Sequence, residues 1–184
     1  MSQIYNMITL ISGTNRALAK TDAVTKYITD LLQELNIPNQ TLYLKDLKAD
    51  FLNDLMYSSD NQSEQLRSLQ DEYICAADKF IIISPEYNGS FPGILKLFID
   101  AISVREYSKN FSSKKIALVG VSSGWAGNFR GMDHLAEIFA HQGGLCMPKR
   151  MAIPNIEQNF DGKVFTDTKL GDRLVDFVKA FIAF

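Results

Sequence analysis

The chain has 184 residues, 46% of them hydrophobic, with 19 Lys and Arg against 21 Asp and Glu and a formal charge of -2. That length supplies a core for one domain spanning residues 1–184, since a chain of ~150 residues already buries roughly 70% of its unfolded surface. Basic residues spread thinly along a near-neutral chain exclude the dense positive face of a nucleic-acid-binding protein. Two cysteines without close spacing exclude a disulfide framework or thiolate metal site and fit a reducing cytoplasm.

The opening MSQIYNMITLISG has no basic n-region, and its apolar run breaks at Ser12 and Gly13. It is too short for the ~20 residues of a membrane span or for a signal peptide, so Met7 to Ile11 reads as the first strand. Thr21 to Leu35 has helical spacing, with Val24, Tyr27, Ile28, Leu31, Leu32 and Leu35 on one side and Pro38 just past its end. Thr41 to Leu44 is a shorter strand. After an acidic and polar connection from Asp46 to Asn61, helical spacing returns from Glu64 to Ala77 through Leu66, Leu69, Tyr73 and Ile74. Phe80 to Ile83, apolar and rich in β-branched residues, predicts a central strand covered on both faces. Pro92 to Val104 follows as a helix, with Pro in the first turn where no backbone N–H is missed. Ile116 to Gly120 is the fourth strand. The loop SSGWAGN then leads into a helix through Met132, Leu135, Ile138 and Phe139 that ends at Gly143 and Gly144. Leu145 to Met147 begins the fifth strand, and Leu170 to Ala183 closes the chain as a helix. This alternation predicts an α/β fold: a three-layer, doubly wound, five-stranded parallel sheet in the order 2-1-3-4-5.

In such a sheet, ligands bind at the carboxyl ends of the strands near the point where strand order reverses. Three polar, Gly-bearing loops share that edge. The first, Ser12-Gly13-Thr14-Asn15-Arg16, runs through Lys20 and Thr21 into a helix. Free N–H groups at the helix start, hydroxyl donors and two cations make a cradle for a monophosphate, although a hydroxyl-rich turn that only caps its helix has the same composition. The run is neither a G-x-G-x-x-G fingerprint nor a P-loop. The second loop, Pro85-Glu86-Tyr87-Asn88-Gly89-Ser90, offers an aromatic face, a carboxylate and an amide to a planar polar ring. The third contains Ser122, Ser123, Gly124 and Trp125. Both aromatics have the alternative of packing on their own loops.

With these residues in place, the chain resembles the flavodoxin-like NAD(P)H-dependent FMN reductases, which include flavin and quinone reductases and form small homodimers. The segment SPEYNGSFPGILKLFIDAIS matches the family pattern of Pro-Glu-Tyr-Asn followed by Pro-Gly and a Leu-Lys helix. Gly13, Thr14 and Arg16 match the family's Gly-Ser-x-Arg-x-x-Ser phosphate loop, while Ala19 replaces its second Ser. The resemblance implies that Ser12, Thr14, Arg16 and Thr21 hold the phosphate of FMN, with Lys20 or Thr21 standing in for the missing hydroxyl. It implies that Pro85, Glu86, Tyr87 and Asn88 line the flavin ring, and that Ser122, Ser123 and Gly124 meet its pyrimidine edge. NADPH or NADH is the implied hydride donor, and no catalytic side chain is assigned, because the cofactor carries that chemistry.

The expected function is therefore an FMN-dependent oxidoreductase that reduces a soluble acceptor such as a free flavin, quinone, azo compound or metal ion. A flavodoxin-type electron carrier is the first alternative, disfavoured because a charge of -2 gives little electrostatic steering. A flavin-free scaffold is the second. His134 and His141 lack a third ligand at metal-site spacing and read as structural. Ser90 and Ser123 lie outside a nucleophile elbow. The helix from Pro92 is apolar over more than one stripe and predicts a homodimer or tetramer face; the resemblance implies that such a neighbour brings residues near the flavin, with Tyr107 and Phe111 as candidates, although filling the core suits them equally. No membrane or nucleic-acid partner is expected.

Overall fold

The computed structural model describes residues 7–48 and 53–184, so residues 1–6 and part of the predicted Asp46–Asn61 connection lie outside the described residues. Strand β1 (Ile8–Ser12) lies between β2 (Asn39–Tyr43) and β3 (Lys79–Pro85), and β3 pairs with β4 (Lys115–Val121). All of these pairings are parallel. The predicted order 2-1-3-4-5 is the observed one.

The fifth position differs in detail. Two short strands occupy it: β5 (Leu145–Cys146) pairs with Lys115–Ile116, and β6 (Met151–Ile153) pairs with Val119–Val121. Between them lies Pro148, which has no N–H to give the ladder, so the edge strand breaks there.

Helices cover both faces. On one side, α1 (Lys20–Glu34) and α7 (Thr168–Ala183) pack Val24, Ile28, Leu32, Leu174, Phe177 and Phe181 against Leu10, Ile81, Ile83 and Val119. On the other side lie α2 (Glu64–Leu69), α3 (Gly93–Ser103) and α5 (Phe129–His141), whose Leu66, Phe98, Ile102, Leu135 and Phe139 meet Phe80, Ile82 and Leu118. Strand residues therefore alternate between two buried layers, as a sheet covered on both faces requires.

Helix ends follow local chemistry. At the end of α1, Asn36 adopts a left-handed conformation with φ 56. Its N–H reaches Gln33 O at 2.9 Å and that of Ile37 reaches Leu32 O at 2.9 Å, which is a Schellman stop with Pro38 beyond it. The predicted Glu64–Ala77 helix is α-helical only to Leu69 and widens into a π turn over Gln70–Cys75. Within that turn the buried Gln70 amide donates to the Ile102 carbonyl at 2.9 Å and to Asn110 Oδ1 at 2.7 Å. Helices α4 (Tyr107–Asn110) and α6 (Ile156–Asn159), with 3-10 turns at Leu44–Asp46 and Asp54–Tyr57, complete the described elements. Phe111, a candidate for a neighbouring flavin site, is instead core: fully buried, with its ring centroid 5.0 Å from Phe80 and 4.9 Å from Phe139. Tyr107 is exposed.

Candidate functional site

Because β1, β3 and β4 are neighbours, their carboxyl ends bring the three predicted loops together. A cleft of about 320 Å³ opens between them, lined by Arg16 to Thr21 on one side, Pro85 to Tyr87 on the second and Val121 to Ser123 on the third. Ile156 and Glu157 of α6 close it from a stretch where no element was predicted. Arg16, Lys20, Thr21, Pro85, Glu86, Tyr87, Ser122 and Ser123 thus share one cavity.

The remaining candidates sit behind or beside it. Ser12 is buried, and its hydroxyl donates to Asp22 Oδ1 at 2.6 Å, while Asp22 Oδ2 takes Lys45 Nζ at 2.8 Å. Thr14 is also buried; its Oγ1 accepts the Arg16 N–H at 3.1 Å and lies 2.6 Å from the Tyr87 hydroxyl. Asn15 is exposed, as are Asn88 and Gly124. Gly13 serves by close approach rather than by an unusual turn: a Cβ there would stand 3.0 Å from Leu95 Cδ2 and 3.1 Å from Ile83 O. The left-handed residue in this loop is Leu18, with φ 55 and its side chain fully in solvent.

The phosphate-like end is a helix start left open. Ala19 is the N-cap of α1 and has no side-chain cap, so the first-turn N–H groups lack the usual hydroxyl acceptor. The Asp22 N–H is taken by Ala19 O at 3.0 Å, so the N–H groups of Lys20 and Thr21, with the positive end of the helix dipole, are what favour an anion there. Arg16 adds a cation whose guanidinium lies 5.9 Å from the Tyr87 ring centroid. Lys20 is less free: Nζ donates to Phe160 O at 3.2 Å and stands 3.8 Å from Glu157.

The ring-like end is held by a tight turn. Asn88 and Gly89 have φ 51 and 78, the paired left-handed conformations of a type I′ turn, and Tyr87 and Ser90 exchange N–H···O bonds of 2.9 and 3.2 Å across it. Glu86 donates its N–H to Val121 O at 2.8 Å, and its carboxylate accepts the Asn128 N–H at 3.2 Å. Ser122 braces its own loop: its hydroxyl donates to Gly124 O at 2.7 Å and accepts the Gly127 N–H at 2.9 Å.

Asn128 is the residue that the sequence reading missed. Almost wholly buried, it donates Nδ2 to Ser84 O at 3.0 Å and to Pro85 O at 2.9 Å, so the third loop grips the end of β3. Nothing in the run SSGWAGN marks one amide as a clamp, because its partners lie 43 and 44 residues away. Among the described residues no group of three or more His, Cys, Asp or Glu is placed to hold a metal ion, and no helix is long and apolar enough to cross a membrane. The thiol of Cys146 is pushed up to about 11 by burial, which keeps it protonated and poorly nucleophilic at neutral pH.

Comparison with known proteins agrees with this geometry. Residues 7–158 match the NADPH-dependent FMN reductase family. A quinone reductase of Pseudomonas putida is 30% identical over 193 aligned positions, covering 99% of this chain and 93% of that protein. An FMN-dependent NADPH-azoreductase of Staphylococcus aureus is 27% identical, covering 95% of this chain and 93% of the other. Among solved structures, the flavoenzyme NAD(P)H:(acceptor) oxidoreductase FerB of Paracoccus denitrificans superposes with a TM-score of 0.79 at 27% identity, covering 97% and 96% of the two chains.

Proposed function

The chain belongs to the NADPH-dependent FMN reductase family, and from that premise we propose that its cleft holds FMN and that the protein uses NADPH or NADH to reduce a small soluble acceptor. The observation that carries the reading is the pairing, in one cavity, of an uncapped helix start beside Arg16 with the Pro85–Tyr87 wall and Ser122–Ser123. Those residues fit the group: an anion meets free N–H groups and a guanidinium, and a planar ring meets an aromatic side chain and a rigid backbone. Bound there, FMN would supply the hydride and electron-transfer chemistry that links the reduced nicotinamide to the acceptor.

The chain's own residues bind, orient and exclude water. Arg16, Thr21 and the first-turn N–H groups of α1 hold the phosphate, with Ser12 and Thr14 bracing the loop from behind. Pro85, Glu86, Tyr87 and Asn88 set the ring in its plane, and the Ser122–Gly124 backbone with the Ser123 hydroxyl meets its polar edge. Glu86 keeps its carboxylate on the Asn128 N–H, which fixes the second loop against the third. No side chain in the cleft is assigned a proton-transfer role.

A free flavin, quinone, azo compound or metal ion is the proposed acceptor class, a homodimer or tetramer the proposed assembly, and the cytoplasm the proposed compartment. The test is an absorption spectrum of protein incubated with FMN and desalted, followed by anaerobic NADPH. Retained flavin bands that bleach promptly are the expected result. Retention with bleaching only by dithionite turns the reading to an electron carrier, and failure to retain flavin at micromolar protein turns it to a scaffold.

A further inference from the structure

Tyr87 presents its ring to the cleft, yet its hydroxyl belongs to a different loop. That hydroxyl lies 2.6 Å from Thr14 Oγ1, between residues 73 positions apart. Thr14 is wholly buried, and its Oγ1 also accepts the Arg16 N–H at 3.1 Å. A hydroxyl has one proton and two acceptor positions, and a phenol is the stronger donor of the pair. With Tyr87 donating, both acceptor positions of Thr14 are filled, one by each loop. The Arg16 guanidinium then returns to the Tyr87 ring at 5.9 Å from its centroid, within cation–π range. Arg16 is thus tied to Tyr87 twice, through its backbone by way of Thr14 and through its side chain directly.

We infer that Tyr87 is a positioning residue for the phosphate end of the cleft: its hydroxyl, through Thr14, sets the Thr14–Arg16 backbone and the guanidinium that meet the anion. The inference rests on the flavin-binding reading above and adds a second task to a residue whose ring alone would suffice for stacking. A ring wall treats FMN and riboflavin alike. A brace for the phosphate loop does not, because riboflavin has no phosphate to be held.

The test is a set of dissociation constants for FMN and riboflavin, by quenching of flavin fluorescence, for wild type, Y87F, T14V, T14S and the Y87F/T14V double variant. Y87F keeps the ring and loses one hydrogen bond, so its FMN constant rises about fivefold while its riboflavin constant stays within about twofold. In the T14V background the Tyr87 hydroxyl has no partner to act through, so the double variant binds FMN no more weakly than T14V alone. T14S retains the hydroxyl and binds as wild type does, which separates loss of the bond from a general folding defect. Equal weakening of both flavins by Y87F, no weakening of either, or additive losses in the cycle overturns the inference while leaving flavin binding intact. A wild-type chain that binds neither flavin overturns the functional reading, and this inference with it.

Discussion

At the scale of single residues, the site divides into groups that face the cleft and groups that hold those groups still. Arg16, Tyr87 and Ser123 line the cavity; Ser12, Thr14 and Asn128 are spent inside the protein. Asn128 apart, the types of these residues were readable from the sequence, because hydroxyls, an aromatic and an Arg after a strand suit anion and ring binding. Their division of labour was not, since Ser12 answers to Asp22, Thr14 to Tyr87 and Lys20 to a carbonyl 140 residues away. Ala19 gives the sharpest test at this scale. It caps α1 with a methyl group where a hydroxyl would bond a first-turn N–H, and Ser or Thr at an N-cap stabilises by about 1 kcal/mol over Ala. Ala19→Ser is expected to raise the melting temperature by about 2–4 °C and, by adding a donor beside the phosphate end, to tighten FMN binding severalfold. Differential scanning fluorimetry with and without FMN checks both parts. An Ala19→Ser variant that melts higher yet binds FMN less tightly would show the new hydroxyl competing with phosphate for the helix N–H groups.

At the scale of elements, hydrophobic period carried most of the information. Phe80 to Ile83 could be placed at the sheet centre because four consecutive apolar residues have no solvent face to spare, and all four are fully buried. Features that depend on contacts across the sheet were not readable in this way. The break at Pro148 needed the knowledge that one strand position spans both sides of it, and the π turn at Gln70 needed the Ile102 carbonyl and Asn110 as partners. Phe111 shows the same limit, since its position between two short elements is compatible with either surface or core. The structure places it between Phe80 and Phe139, so Phe111→Ala opens a cavity beneath β3, β4 and α5 and is expected to cost about 3–5 kcal/mol. Tyr107→Ala, at an exposed neighbour, is expected within about 0.5 kcal/mol for the isolated chain. Urea unfolding of the two variants beside wild type checks the contrast, and comparable midpoints would contradict the core assignment.

At the scale of the whole molecule, one outer face is not explained by the fold. Helix α3 turns Leu95, Phe98, Ile99 and Ile102 inward but leaves Leu97 36% exposed, with Tyr107 45% exposed just beyond its end. Leu97 opens into a hollow of about 400 Å³ lined by Asp54, Met56 and Tyr57, while Tyr107 lines a separate groove of about 550 Å³ between α3 and α5 with Lys96, Asp100, His134, Glu137 and His141. A face that mixes apolar side chains with both signs of charge is suited to a two-fold partner, because an isologous interface sets each patch against its own complement. A chain of net charge -2 has little long-range self-repulsion to oppose that contact. The expected outcome is a mass of twice the chain, or four times, by size-exclusion chromatography with light scattering at tens of micromolar protein, a concentration that populates complexes of micromolar affinity. Leu97→Glu places a carboxylate on the apolar side of the proposed contact, beside Met56 and Tyr57, and should yield the single-chain mass, since an unpaired charge buried there costs several kcal/mol. Leu97 lies outside the cleft, so the monomeric variant should still take up FMN if each chain holds its own flavin. If dissociation instead abolishes flavin retention while the far-ultraviolet circular dichroism is unchanged, the neighbouring chain completes the site. A wild-type protein that is monomeric at this concentration would leave Leu97 and Tyr107 as ordinary exposed side chains and remove the dimer from the proposal.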